Sequence, residues 1–135
     1  MNDGELNEYQ IVFDGGSKGN PGPGYGSFAI FHSEDLILYE QIELGDWVTN
    51  NEAEYRTLVN ALERLLELVG AHSKETRVTI HGDSQLVVNQ VNGHWKIKKA
   101  ELFTLRNQIV ELLNQFGKAE VKWHSRINSV YVLGH

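Results

Sequence analysis

The chain of 135 residues has no cysteine, only two prolines and no apolar run near the roughly 20 residues that a membrane-spanning helix needs. Without cysteine, disulfide frameworks and thiolate metal sites are excluded. The first ten residues are polar and acidic, and they resemble neither a signal peptide nor a transit peptide. We therefore expect a cytoplasmic protein with no membrane partner.

Positive charge is also scarce, since 12 lysines and arginines face 18 acids and give a net charge of −6. Tight, unspecific binding to nucleic acid usually needs a basic surface, so this balance argues mildly against it. It does not exclude an enzyme that acts on nucleic acid, because carboxylates that hold divalent cations stay negative until the metal binds. The length and the apolar fraction of 41% predict one soluble domain over residues 1–135, which we expect to be monomeric.

Glycine is concentrated in one segment. Residues 13–26 contain six of the 13 glycines and both prolines, and Asp14 precedes them at the end of an apolar run. A structural hairpin turn needs only about two to five residues. The longer segment indicates a loop whose backbone has to approach something closely.

The spacing of apolar residues predicts the element order β-β-β-α-β-α-α-β. This order is typical of an α/β domain with a five-stranded mixed sheet flanked by helices. The tail after residue 125 is too short for a full helix, so we expect the final helix to be missing. The predicted strands are 9–14, 25–32, 36–44, 76–83 and 119–125, and the predicted helices are 49–70, 84–93 and 99–117.

Three acids occupy notable positions in this scheme. Asp14 ends the first strand, and Asp83 ends the fourth strand just before a helix begins. Glu54 lies near the start of the long helix, on the same row as Leu58 and Ala61, which faces the sheet. If the first and fourth strands are adjacent and parallel, the two aspartates lie side by side and Glu54 reaches them from above.

Carboxylates that converge repel one another unless they share protons or cations. Ligands that are all oxygen favour Mg²⁺ or Mn²⁺, and two such ions can activate a water and stabilise a leaving oxygen. Each acid also has a structural interpretation: Asp14 could cap its turn, Glu54 could balance the helix dipole, and Asp83 could cap the next helix. None of these roles requires the three to converge.

The motifs "DGGSKGNPGPGYG", "TNNEAEY", "HGDSQLVVNQVNG" and "WKIKKAEL", in this order, resemble type 1 ribonuclease H, in the compact variety of bacteria and archaea. The resemblance covers about residues 8–126. It implies the ribonuclease H-like fold and an endonuclease that cuts the RNA strand of RNA–DNA hybrids with two Mg²⁺ or Mn²⁺ ions. The products implied are 5′-phosphate and 3′-hydroxyl ends.

The same resemblance implies roles for individual residues. Asp14, Glu54 and Asp83 match metal-binding carboxylates. Lysines and an aromatic ring in "GHWKIKK" suit phosphate and sugar of the DNA strand, although a solvated helix start with a core tryptophan is an alternative. The implied substrate contacts are Gly15, Gly16 and Ser17 at the RNA sugar, Asn50, Asn51 and Gln85 in the minor groove, and Trp95, Lys96, Lys98 and Lys99 along the DNA.

The C-terminus departs from the family pattern, in which an aspartate supplies a fourth metal carboxylate. That position falls on Val132 or Leu133, and no acid follows Glu120. Asn128 is the favoured replacement, as a neutral oxygen ligand. His124 or His135 could contribute instead, in product release or proton transfer.

If neither replacement operates, three carboxylates suffice or activity is badly impaired. Two rival functions therefore stay open: a hybrid-binding module that has lost catalysis, and a nuclease of this fold that acts on double-stranded RNA or DNA junctions.

Overall fold

Five strands form one mixed sheet in the computed structural model of the chain, which describes residues 7–134. The first three strands make an antiparallel meander, while the fourth runs parallel to the first and the fifth parallel to the fourth. The predicted sheet and the adjacency of the first and fourth strands are confirmed. The strands are β1 (Asn7–Ser17), β2 (Gly22–His32), β3 (Asp35–Val48), β4 (Thr76–Gly82) and β5 (Lys118–Trp123), in the spatial order β3-β2-β1-β4-β5.

The longest helix is bounded by a capping threonine at its start and by a glycine at its end. Thr49 Oγ1 accepts a hydrogen bond from the Glu52 amide at 3.1 Å, and Gly70 ends the helix at a φ of 53°. No helix within residues 7–134 is long and apolar enough to cross a membrane. The helices are α1 (Asn50–Val69), a 3₁₀ turn (Gly70–Glu75), α2 (Gln85–Val91), α3 (Ala100–Leu113) and α4 (Arg126–Leu133).

The two faces of the sheet are covered differently. Ile11 and Phe13 of β1 pack with Leu58 of α1 in the large core, which also takes in α2 and α3. Val12 lies on the opposite face, in a small cluster with Ala29 and Leu133. Because residues two apart in a strand share a face, Asp14 continues the Val12 row on the side of α4.

The prediction that the final helix is missing was wrong. Helix α4 follows the extended residue Ser125 and ends at Gly134, which has a φ of 81° and donates its amide to Val130 O. A helix this short is unstable by itself, so its stability comes from tertiary contacts. Ser129 and Leu133, four residues apart, are both buried, and Tyr39 Oη donates to Leu133 O at 3.1 Å.

Candidate active site

The register of two parallel strands brings the acids together. Phe13 of β1 pairs with Gly82, the last residue of β4, so Asp14 and Asp83 lie side by side. Asp14 lies inside β1, which continues to Ser17, and not at the end of the strand as predicted. Glu54 approaches from α1. One carboxylate oxygen from each of these three residues lies within 4.8 Å of the other two.

Two glycines allow this approach. A Cβ on Gly15 would lie 2.7 Å from Ala53 O and 2.9 Å from the Glu54 amide, so a side chain there would push α1 away from β1. A Cβ on Gly16 would lie 2.8 Å from the Tyr25 hydroxyl. Packing against the backbone of α1 is thus sufficient reason for glycine at position 15, whereas the Tyr25 side chain can move to make room at position 16. Contact of either glycine with an RNA sugar stays a prediction.

The proximity of the three carboxyl groups changes the pKa of Glu54. Burial, followed by the negative charges of Asp14 and Asp83, raises the pKa of Glu54 to about 8, against smaller lowering effects of Ser84 and Arg126. Asp83 Oδ2 is buried and has no hydrogen-bond partner among residues 7–134. A buried, unpartnered oxygen within an all-oxygen donor set fits a hard divalent cation such as Mg²⁺ or Mn²⁺.

An arginine faces the acids from α4. Arg126, the first residue of that helix, shares a cavity of about 680 Å³ with Asp14. The sequence could not indicate the rest of this cavity, because its wall depends on the register in which β2 pairs with β3. That wall includes Tyr25, Ser27, Gln41 and Glu43.

His124 lies beside the acids on the β5 side. Its Nε2 is 2.7 Å from the buried Ser129 Oγ, and its ring stacks on His81 with 5.7 Å between centroids. Burial lowers the pKa of His124, and the negative charge of Asp83 opposes this effect. The bond to Ser129 couples the position of this imidazole to α4.

The other residues considered for the fourth ligand position lie in different environments. Asn128 lies in the first turn of α4 with an exposed side chain, and its amide donates to Ser125 O. Val132 is half-buried against the small cluster that contains Val12. His135 lies outside the described residues. The ligand role of Asn128 therefore stays a prediction.

The long glycine-rich loop predicted from the sequence was wrong, because β1 runs to Ser17 and β2 begins at Gly22, which leaves residues 18–21 as a short turn between them. This turn is tied to the start of α1. The Ser17 amide donates to Asn50 Oδ1 at 2.8 Å, and the Asn50 amide donates to Asn20 Oδ1 at 3.0 Å. Gln85 is exposed at the first position of α2. These bonds hold the turn against the helix that carries Glu54.

Trp95 and Lys96 join Asn51 in one cavity of about 340 Å³, together with Lys98 and Lys99. Beneath them, Gln90 accepts a hydrogen bond from the Tyr55 hydroxyl at 2.7 Å and donates to Lys96 O at 3.1 Å. Trp95 is 46% exposed, which contradicts the alternative that it is a core tryptophan. The lysines and the indole thus form an open basic and aromatic surface.

Similarity to known proteins agrees with this architecture. A family model described as Reverse transcriptase-like matches residues 12–132. Bifunctional protein Rv2228c of Mycobacterium tuberculosis is 39% identical over 122 residues, which are 90% of this chain and 32% of that relative. Ribonuclease HI of Helicobacter pylori strain 26695 is 34% identical over 134 residues, covering 96% of this chain and 82% of the relative.

Two solved structures share the fold. The N-terminal RNase H domain of Rv2228c, solved as a fusion with maltose-binding protein, superposes with a TM-score of 0.83 at 34% identity, over 93% of this chain and 87% of that one. LC11-RNase H1 in complex with an RNA/DNA hybrid gives a TM-score of 0.83 at 26% identity, over 91% and 89%. The chain belongs to the type 1 ribonuclease H family.

Proposed function

We propose that the chain is an endonuclease that hydrolyses the RNA strand of RNA–DNA hybrids and leaves 5′-phosphate and 3′-hydroxyl ends. The convergence of Asp14, Glu54 and Asp83, with a buried Asp83 oxygen that lacks a partner, is the observation that supports it most. Membership of the ribonuclease H family supports the same substrate, and a structural neighbour was solved with an RNA/DNA hybrid.

Two Mg²⁺ or Mn²⁺ ions are the proposed cofactors, held by these three carboxylates with Asn128 as a neutral fourth ligand. When bound, such ions supply activation of a water and stabilisation of the leaving oxygen. The carboxylates orient the site, and no side chain of the protein attacks the phosphodiester. His124, beside Asp83, is proposed to move a proton or to assist product release.

Substrate selection is assigned to the surface around the acids. Backbone at Gly15, Gly16 and Ser17 lies against the RNA sugar, and the amides of Asn50, Asn51 and Gln85 reach 2′-hydroxyls and base edges in the wide minor groove. Contacts of this kind distinguish RNA without reading a sequence. Trp95 and Lys96 hold the sugar and phosphate of the DNA strand.

The test compares three labelled duplexes, an RNA–DNA hybrid, double-stranded RNA and double-stranded DNA, each with Mg²⁺ or Mn²⁺. We expect cleavage of the hybrid alone, and only in the presence of a divalent ion. Cleavage of double-stranded RNA instead would replace the proposed substrate. Mapping the product ends with a phosphatase and a ligase tests the predicted 5′-phosphate.

A second function, a hybrid-binding module, is favoured by one observation, the absence of any acid after Glu120. It predicts that the hybrid binds but stays uncut with either ion in the same assay. The cytoplasmic location and the monomeric state stay predictions, which cell fractionation and light scattering can test.

Asn128→Ala should weaken Mn²⁺ binding and lower the cleavage rate by about tenfold, because a ligand oxygen is lost from a site with one carboxylate fewer than the family pattern. A neutral amide is also a weaker Mg²⁺ ligand than a carboxylate, so we expect faster turnover of the wild type with Mn²⁺ than with Mg²⁺. Calorimetric titration of Mn²⁺ and single-turnover rates measure both effects. Asn107→Ala, at an exposed site on α3, is the matched control. Full rate and full Mn²⁺ affinity in Asn128→Ala would remove Asn128 from the ligand set.

A further inference from the structure

All three tryptophans of the chain lie toward the end of the molecule that holds the acid cluster, two of them in strands. Trp47 is the second-last residue of β3, and Trp123 is the last residue of β5, where it pairs with Gly82. Strands β1, β3, β4 and β5 point the same way, so their carboxyl ends share one edge. Trp95 reaches the same end of the molecule, where it shares a cavity with Asn51 at the start of α1.

These indoles contribute little to the core. Trp47 is 78% exposed, and Trp95 and Trp123 are 46% and 47% exposed, whereas the large core is built from aliphatic, phenylalanine and tyrosine side chains. Burying a side chain of this size completely would stabilise a fold by roughly several kcal/mol, because the stabilisation grows with the apolar surface removed from water. Stability therefore does not explain a tryptophan at position 47.

The two residues that follow Trp47 are anchored, although Trp47 itself lies where the pairing of β2 with β3 shifts register. Its neighbour Val48 is 3% exposed and packs so tightly on β2 that a Cβ on Gly24 would lie 2.8 Å from the Val48 Cβ. Thr49, the next residue, caps α1. Trp47 therefore presents its indole next to an anchored residue, three positions before the first of the two asparagines proposed to contact the hybrid.

The charge near Trp47 favours contact through the ring rather than through an ion pair. Asp46, the residue before Trp47, lines a cavity of about 250 Å³ together with Glu43 and one basic residue, Lys18. Two acids so close to a phosphate would repel it. A ring face can still pack on a sugar or stack on a base, because this contact needs no charge.

We infer that Trp47 is a substrate-binding residue, whose indole packs on the sugar or base of one nucleotide of the hybrid on the β3 side of the acid cluster. This inference rests on the proposed function. Two strand spacings separate β3 from β1, which is about 10 Å across the edge of the sheet. At roughly 3.4 Å per nucleotide, the contact lies about three nucleotides from the cleaved bond.

Steady-state kinetics on a long hybrid test the contact. Trp47→Ala should raise KM about five- to tenfold and leave kcat within twofold, while Trp47→Phe should stay within twofold of wild type in both. Tyr131→Ala, which removes a ring that is 90% exposed on α4, is the matched control and should change neither constant. An unchanged KM in Trp47→Ala would overturn the inference.

Salt dependence and substrate length separate binding from a structural defect. An uncharged ring releases no counterion, so Trp47→Ala should keep the wild-type salt slope of log KM, whereas Lys96→Ala should lose about one unit of it. Hybrids can be trimmed so that only two base pairs remain beyond the cut at one end or at the other. The rise in KM of Trp47→Ala relative to wild type should disappear when one particular end is trimmed and persist when the other end is trimmed. A rise in KM that persists whichever end is trimmed would overturn the inference, and so would a fall in kcat accompanied by a lower Tm. A wild type that neither binds nor cuts the hybrid overturns the proposed function as well.

Discussion

Asp14→Asn should slow hydrolysis of an RNA–DNA hybrid by about a thousandfold or more at saturating Mn²⁺, which corresponds to roughly 4 kcal/mol of activation free energy. Asp14 is 7% exposed and shares a 4.8 Å cluster with two other carboxylates. The amide keeps the shape of the side chain but removes the charge that holds a divalent ion. Single-turnover cleavage of a labelled hybrid measures the loss.

Asp35→Asn is the matched control, because Asp35 is exposed at the start of β3 and pairs with His32 at the opposite end of the sheet. It should retain the wild-type rate. Thermal unfolding in EDTA should show no loss of Tm for Asp14→Asn, since the substitution removes a negative charge from a cluster of acids that repel one another. A rate within tenfold of wild type would mean that Asp14 only caps its turn.

The sequence was sufficient to predict the arrangement of the acids because that arrangement depends on local patterns. Asp14 and Asp83 each follow a run of apolar strand residues, and parallel pairing of two neighbouring strands places such residues side by side. Glu54 follows from the capping box at Thr49, which sets where the helix starts and hence which of its faces meets the sheet. Short-range signals therefore determined a long-range contact.

Helix α4 could not be predicted in the same way. Its eight residues have no side-chain cap, and they are held by a hydrogen bond to Tyr39 and by burial of Leu133 on β1 and β2. Those partners lie about a hundred residues away in the chain, so no local pattern reports them. The same holds for the Arg126 cavity and for Trp47, whose importance depends on strand register.

The raised pKa of Glu54 makes the stability of the metal-free protein depend on pH. Burial and two neighbouring carboxylates raise this pKa from 4.5 to about 8 in the folded chain. Below pH 4.5 the folded and unfolded states both hold the proton. Between pH 4.5 and 8 the unfolded chain releases it while the folded chain keeps it, so rising pH favours unfolding. The contribution of Glu54 to stability is therefore lost as the pH passes through that window.

Glu54→Gln removes this titration, so in EDTA the variant should become more stable than wild type as the pH rises. At about 1.4 kcal/mol per pKa unit, and with partial screening by water, we expect the advantage to grow by on the order of 2–4 kcal/mol between pH 5 and pH 9. Urea unfolding at a series of pH values measures the difference. Glu63→Gln, at an exposed position of α1, should follow the wild-type pH dependence.

Divalent metal should reverse the order of stability, so that wild type becomes more stable than Glu54→Gln. The proposed function has Mn²⁺ bind the folded, ionised cluster and stabilise it by mass action, so millimolar Mn²⁺ at pH 8 should raise the Tm of wild type by several degrees. Glu54→Gln has lost one carboxylate ligand, so it should gain much less and should also lose hybrid cleavage. If the free energies of unfolding of Glu54→Gln and wild type in EDTA change with pH in parallel, the close approach of the three carboxylates is contradicted. Equal Tm gains with Mn²⁺ would show instead that Glu54 lies near the ions without binding them.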